Sequence, residues 1–249
     1  SVTRHTPTRV INRIESRDVR FKLHPGEGGD SVHTDPTYAY ATTLLHTTRD
    51  IAGVGLAFTL GGGNDGVCDL ARKLAEPLVG MHVEDLMADF GRVQRKIADH
   101  PLYRWLGPHK GSVHLALASI TNACFDLWAK SRGVPLWQLL LSLTPEQVVA
   151  LLDLSYLEDV LTAEDALTIL REHAPTRGGR EGVIRDGYPG YDTSVGWFSY
   201  SDDRIRENVR RARDEGFTAM KLKVGSRETD RDIRRTRLVR DVAGNAARI

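Results

Sequence analysis

The chain has 249 residues, 41% of them hydrophobic, with 34 basic and 33 acidic side chains and a formal charge of +1. That length fits one barrel-sized domain or two smaller ones with a real core. The charge balance excludes a global basic field for nucleic acid or an anionic membrane surface, and no apolar run approaches the ~18 residues of a helical membrane span. Cys68 and Cys124 lie in helix-like segments at a spacing that fits no zinc motif, so they read as reduced, buried thiols of a cytoplasmic protein. The opening "SVTRHTPTRV" lacks a signal-peptide core and an initiator Met, which reads as a processed or partial chain.

Residues 9–23 carry β-branched and aromatic residues in loose alternation and predict one strand or a pair. The stretch 24–36, "HPGEGGDSVHTDP", is broken by Pro25, Gly26, Gly28 and Gly29 and predicts a loop, mobile for want of regular pairing. "TYAYATTLLHT" and "GVGLAFTL" complete an antiparallel meander of three strands. After "GGGND" (61–65), Asn64 or Asp65 is expected to cap a helix; the glycines lack the spacing and lysine of a phosphate loop. Residues 82–99 predict a second helix. A third, longer one starts at Ser112, carries Leu115, Ile120, Ala123, Leu127 and Trp128 at helical period, and stops at Gly133 and Pro135. His114 on that helix reads as a structural histidine. Thr144 with Pro145 opens a short helix, and Thr162 with Asp165 makes a capping box for "TAEDALTILREH". Residues 177–191 are polar and glycine-rich and precede a change of pattern.

From there the pattern alternates. "YPGYDTSV" is strand-like. "SDDRIRENVRRARDEGF" is an amphipathic helix capped by Ser201, with Ile205, Val209 and Ala212 inward. "TAMKLKV" is a strand, and residues 228–244 are a helix again. Strand, helix, strand, helix with short links predicts parallel βα units. In "AMKLKVG", Met220, Leu222 and Val224 share one face and Lys221 and Lys223 the other, just before Gly225. At a separation of about 7 Å and an effective dielectric near 20, two such charges repel by roughly 2–2.5 kcal/mol. Repulsion and burial together favour one neutral lysine able to act as a base at the strand end where βα barrels place their chemistry. The residues alone equally allow an edge strand guarded by two solvated lysines.

The stretches "GDSVHTDPTYAY", "GPHKGSVHLALASITNACFDLWAKSRGVPLW", "DGYPGYDTSVGWFSYSD" and "GFTAMKLKVG", in this order, resemble the mandelate racemase subgroup of the enolase superfamily, and within it the acid-sugar dehydratases acting on L-fuconate. The resemblance covers the chain from about Arg9 onward. It implies an α+β cap domain, antiparallel meander plus helices, over residues 1–150. Residues 151–249 would then hold connecting helices and the first βα units of an enolase-type (β/α)7β barrel, truncated. It implies a hydro-lyase. A base removes the proton next to the substrate carboxylate, Mg²⁺ stabilises the resulting enediolate, and loss of the 3-hydroxyl gives a 2-keto-3-deoxy sugar acid. Lys223 matches the base and Lys221 its neighbour, which also touches substrate. Gly28, Gly29, Asp30 and Tyr38 match the cap loop that reads the sugar hydroxyls, and Tyr188 matches a substrate contact at the start of the barrel. The family's three metal carboxylates are expected on the next three strands, beyond Ile249, so the chain holds no metal ligand and reads as an inactive fragment. At Gly61–Asp65 the family usually shows a basic residue and a longer acid, which this chain lacks. The partners implied are a small acid sugar and further copies of the chain, with neither nucleic acid nor membrane. A Schiff-base lysine aldolase barrel and a catalytically dead binding protein of the same fold are the alternatives.

Overall fold

The computed structural model describes residues 9–107 and 111–249. The first eight residues, read above for a leader, and residues 108–110 within the resembling stretch lie outside the described residues. The chain divides into two compact units. One takes the described residues up to Arg20 together with Ala39–Val183, the other Phe21–Tyr38 together with Ile184–Ile249. The division into compact units falls after Val183, and the glycine-rich loop goes with the C-terminal residues.

In the first unit the strands β1 (Ile11–Phe21), β2 (Tyr38–Thr47) and β3 (Ala52–Thr59) form a sheet in the order β1-β2-β3, with β2 and β3 antiparallel. The helices are α1 (Asn64–Ala75), α2 (Val83–Ala88), α3 (Phe90–Ala98), α4 (Gly111–Arg132), α5 (Leu136–Ser142), α6 (Pro145–Ala150) and α7 (Ala163–His173), with α8 (Arg177–Arg185) leading into the second unit. The longest, α4, lies on β3. A Cβ at Gly53 would overlap the Ala123 carbonyl oxygen, and one at Gly55 the Ser119 carbonyl oxygen, so only glycine lets helix and strand approach so closely. β3 is an edge strand, and α4 side chains take up its backbone groups. Val54 N–H donates to Asp126 at 2.8 Å, and Lys130 donates to the Ala52 carbonyl at 2.9 Å. Behind this contact Thr43 and Ser119 share a buried hydroxyl–hydroxyl hydrogen bond of 2.7 Å. Cys68 and Cys124 are free and buried, as read from the sequence; burial pushes the Cys124 thiol up to about 12.

Two sequence expectations change here. The cap of α1 is Gly63, at φ 75°, and neither Asn64 nor Asp65. Asn64 is instead fully buried in the first turn, where its amide donates to Asp18 at 2.6 Å and its carbonyl accepts from Thr59 at 2.8 Å. The helix expected over 82–99 is two, broken at Asp89. Gly91 just beyond the break sits against the Leu152 carbonyl with no room for a Cβ, a tertiary contact that fixes where α3 can start. Residues 177–185, which the sequence left unassigned, are helical although three of them are glycine. Arg177 donates to the carbonyls of Leu141 at 2.9 Å and Leu143 at 2.5 Å, and Arg180 to that of His173 at 2.8 Å. The cap at Thr144, the capping box at Thr162 and the stop at Gly133 (φ 67°) stand as expected, and Gln147 completes a capping box with Thr144 as well.

The second unit holds β4 (Asp192–Gly196), α9 (Asp202–Asp214), β5 (Met220–Leu222) and α10 (Thr229–Ala243). β4 and β5 are parallel, with Gly196 opposite Leu222. Arg248 adds a parallel bridge at Ala219, on hydrogen bonds of 2.9 Å from Met220 N–H and to the Thr218 carbonyl. Val195, Ile205, Val209, Ala212, Met220 and Val239 form the buried core between strands and helices. Ser201 caps α9 through the Arg204 amide. Val224, expected to pack with Met220 and Leu222, is 50% exposed, because the regular strand ends at Leu222.

Candidate functional site

The site is built in the second unit, where the loops after β4 and β5 meet the glycine-rich loop 24–36. The two lysines of β5 have different surroundings. Lys221 is exposed and lines a cavity of about 460 Å³ beside the strand, together with Tyr191, Val224 and Arg248. Lys223, one step past the ladder, is half-buried. Its backbone N–H donates to the Gly196 carbonyl at 2.9 Å, and its Nζ lies 5.3 Å from the centre of the Trp197 ring. That is within cation–π range of the residue that immediately follows β4. Gly225 at φ 115° then turns the chain so tightly against the loop that a Cβ would stand 3.0 Å from the Ser31 hydroxyl.

The glycine-rich loop, expected from its composition to be mobile, is bonded to the loop after β4 and to α9. The Gly29 carbonyl accepts from Phe198 N–H at 3.2 Å, and Glu27 pairs with Arg204 of α9 at 3.4 Å. The Arg204 guanidinium in turn lies 3.8 Å over the Tyr200 ring. Gly28, at φ 67°, sits so near the Tyr38 hydroxyl and Leu23 that a side chain there would have to displace the Tyr38 ring. Gly28, Tyr38, Glu27, Ser194, Trp197 and Arg204 line a common cavity of about 310 Å³.

Asp30 does less in the open than its composition suggested. Its carboxylate accepts from the backbone N–H groups of Val32 at 2.8 Å and His33 at 2.7 Å, and it meets the His33 ring at 3.2 Å. These amides, with the His33 ring, hold the carboxyl down at about 2. A depressed pKa makes the turn's contribution complete above the unfolded value of roughly 3.9 and lost as pH falls through the folded one. We therefore expect an Asp30 carboxyl titration midpoint near 2 by NMR, and faster exchange of the Val32 and His33 amides in Asp30→Ala. A midpoint at the ordinary aspartate value would mean that the turn does not persist in solution.

The structure thus sets Gly28 and Tyr38 around a cavity shared with Trp197, whose ring faces Lys223, and ties Gly29 to the neighbouring Phe198, while Asp30 is taken up by its own turn. It does not bring in Tyr188, which is 78% exposed in the segment before β4. Trp197, Glu27 and Arg204 escaped the sequence reading. Trp197 directly follows a strand in a βα pattern, which is the position that could have flagged it. Among the described residues no three of His, Cys, Asp and Glu converge to hold a metal ion, so the carboxylates present do not fit a Mg²⁺ site. No helix among them is long and apolar enough to cross a membrane.

Comparison with known proteins matches residues 14–140 to the mandelate racemase / muconate lactonizing enzyme N-terminal domain. Mitochondrial enolase superfamily member 1 of Homo sapiens is 40% identical over 238 residues, 94% of this chain and 54% of that protein. Its crystal structure superposes with a TM-score of 0.90 at 38% identity, over 98% of this chain and 56% of the other. L-galactonate dehydratase of Hypocrea jecorina is 35% identical, over 94% of this chain and 53% of its own length. L-talarate/galactarate dehydratase of Salmonella typhimurium, solved with Mg and L-lyxarohydroxamate, shares the fold (TM-score 0.66, 21% identity, 99% of this chain and 52% of that one). The chain spans about half the length of the curated relatives it matches. On the matched domain and the shared fold, the chain belongs to the mandelate racemase / muconate lactonizing enzyme family of the enolase superfamily.

Proposed function

We propose that the chain supplies the cap and the first barrel strands of an acid-sugar dehydratase, residues 1–150 being the cap and 151–249 the start of a (β/α)7β barrel. The observation that carries this reading is Lys223, half-buried at the C-terminal end of a parallel βα strand and facing Trp197 beside the glycine-rich loop. Lys223 takes the proton from the carbon next to the substrate carboxylate. The 3-hydroxyl then leaves as water once protonated, and the enol product becomes the 2-keto-3-deoxy acid, so substrate equals product plus water. Lys221 contacts the carboxylate end, and Gly28, Gly29 and Tyr38 form the wall that reads the hydroxyls. Asp30 acts through the turn it holds, and Tyr188 contacts substrate from the segment before β4. Mg²⁺ belongs to the whole protein in this reading, because the described carboxylates do not form its site.

The substrate we favour is L-fuconate. L-galactonate is the second reading, favoured by the 35% identical dehydratase of that name. The two acids differ by one hydroxyl at carbon 6, so the pocket discriminates strongly only if it hydrogen-bonds that group. The test is a panel of acid sugars with the whole protein and Mg²⁺, read as 2-keto acid formed. Formation from L-fuconate or L-galactonate is expected; release of 2-keto acid from none of the acid sugars would end the proposal.

A further inference from the structure

The loops that carry Trp197 and Lys223 are both held by the first turns of α10. Asp232 accepts from the backbone N–H groups of Gly225 and Ser226, each at 2.9 Å, and so fixes the turn that follows Lys223. One turn later Arg235, 1% exposed, donates to the carbonyls of Trp197 at 2.9 Å and Tyr200 at 2.8 Å. Between them Arg231 donates to the Phe198 carbonyl at 2.5 Å and covers the Phe198 ring at 4.5 Å. An arginine is a costly way to fill a core position, since its charge is stripped of water and it cannot deprotonate. Burial accordingly pushes the Arg235 pKa below the ordinary arginine value. Its Nε has no partner among the described residues, so the side chain is committed to the two loop carbonyls rather than to an ion pair of its own.

We infer that Arg235 is a positioning residue: by holding the Trp197 and Tyr200 carbonyls it fixes the Trp197 ring against the Lys223 ammonium. The chain of contacts runs from α10 through the loop after β4 to the lysine, with Asp232 fixing the lysine's own loop from the same helix. The catalytic consequence rests on the reading of Lys223 as the base; the positioning itself does not.

The test is competitive acylation of the 249-residue chain with trace acetic anhydride, read peptide by peptide, with Lys221 and Lys130 as internal references. Loss of the ring contact frees the Lys223 amine and raises its acylation roughly two- to fivefold. We expect this rise in Arg235→Met and in Trp197→Leu, with the references unmoved. The double variant should rise no further than Trp197→Leu alone, as for two changes acting through one contact. Arg235→Lys, which keeps the cation but offers one nitrogen to two carbonyls, gives a smaller rise and serves if the methionine variant does not fold. Unchanged Lys223 acylation in a folded Arg235 variant, or additive rises in the double variant, would overturn the inference. Labelling needs no substrate. Full turnover by Lys223→Met would therefore remove the base reading and leave this result standing, whereas flat labelling beside an inactive Lys223→Met would remove the positioning alone.

Discussion

Replacing Lys223 by methionine lowers kcat for the acid sugar by about 10²–10⁴-fold or more, the usual contribution of a positioned general base, and changes KM far less. The side chain is half-buried, leaves the β5 ladder after donating its backbone N–H to Gly196, and carries its amine to the face of Trp197. Methionine preserves the apolar stem that lies along the strand, so the fold is expected to survive. Lys221→Met, at an exposed position, should raise KM more than it lowers kcat, because its role in this account is contact with the carboxylate end. The steady-state constants of both variants check the pair. A large KM effect with intact kcat at Lys223 would assign it to binding instead.

Gly55→Val destabilises the first unit by about 3 kcal/mol or more, the upper range for overpacking a close contact. Any Cβ here would overlap the Ser119 carbonyl and also crowd Ala123 N–H, both of them backbone atoms of α4 that no rotamer change can move. The helix must lift from β3. That would also loosen the Thr43–Ser119 hydroxyl bond and the Asp126 and Lys130 bonds to the strand edge. A loss of this size lowers Tm by roughly 6–12 °C for a chain of this length. The control is Gly62→Ala, where nothing lies within 4 Å of the added Cβ. Equal melting of the two variants would show that α4 does not sit as closely on β3 as described.

The parts of the fold that were legible rest on local chemistry. Thr162 with Asp165, Thr144 with Pro145, and Ser201 announce helix starts through their own side chains, and the spacing of Ile205, Val209 and Ala212 marks a buried face without outside help. What the sequence hid depends on distant partners. Nothing near Asp89 foretells a break set by Gly91 against Leu152. The helix at 177–185 is held by arginines reaching the Leu141, Leu143 and His173 carbonyls, and its polar, glycine-rich composition gave no sign of it. Alternation put Lys221 and Lys223 on one face, yet the ladder ends at Leu222 and the two amines have different neighbours. The glycine-rich loop gave up its candidates, but its docking through Glu27 and Gly29 needs Arg204 and Phe198, far along the chain. Arg235 sits among several arginines in α10, and composition cannot tell the fully buried one from the rest.

Solvent deuterium exchange at the carbon next to the carboxylate tests the assignment of Lys223 most directly, because it follows proton removal apart from loss of the hydroxyl. The whole protein is incubated in D₂O with Mg²⁺ and an acid sugar that it turns over slowly, and the label is read by NMR in wild type and in Lys223→Met. Exchange is expected in the wild type and its loss in the variant, with the variant still binding the acid sugar. Exchange at near wild-type rate in Lys223→Met would contradict the assignment.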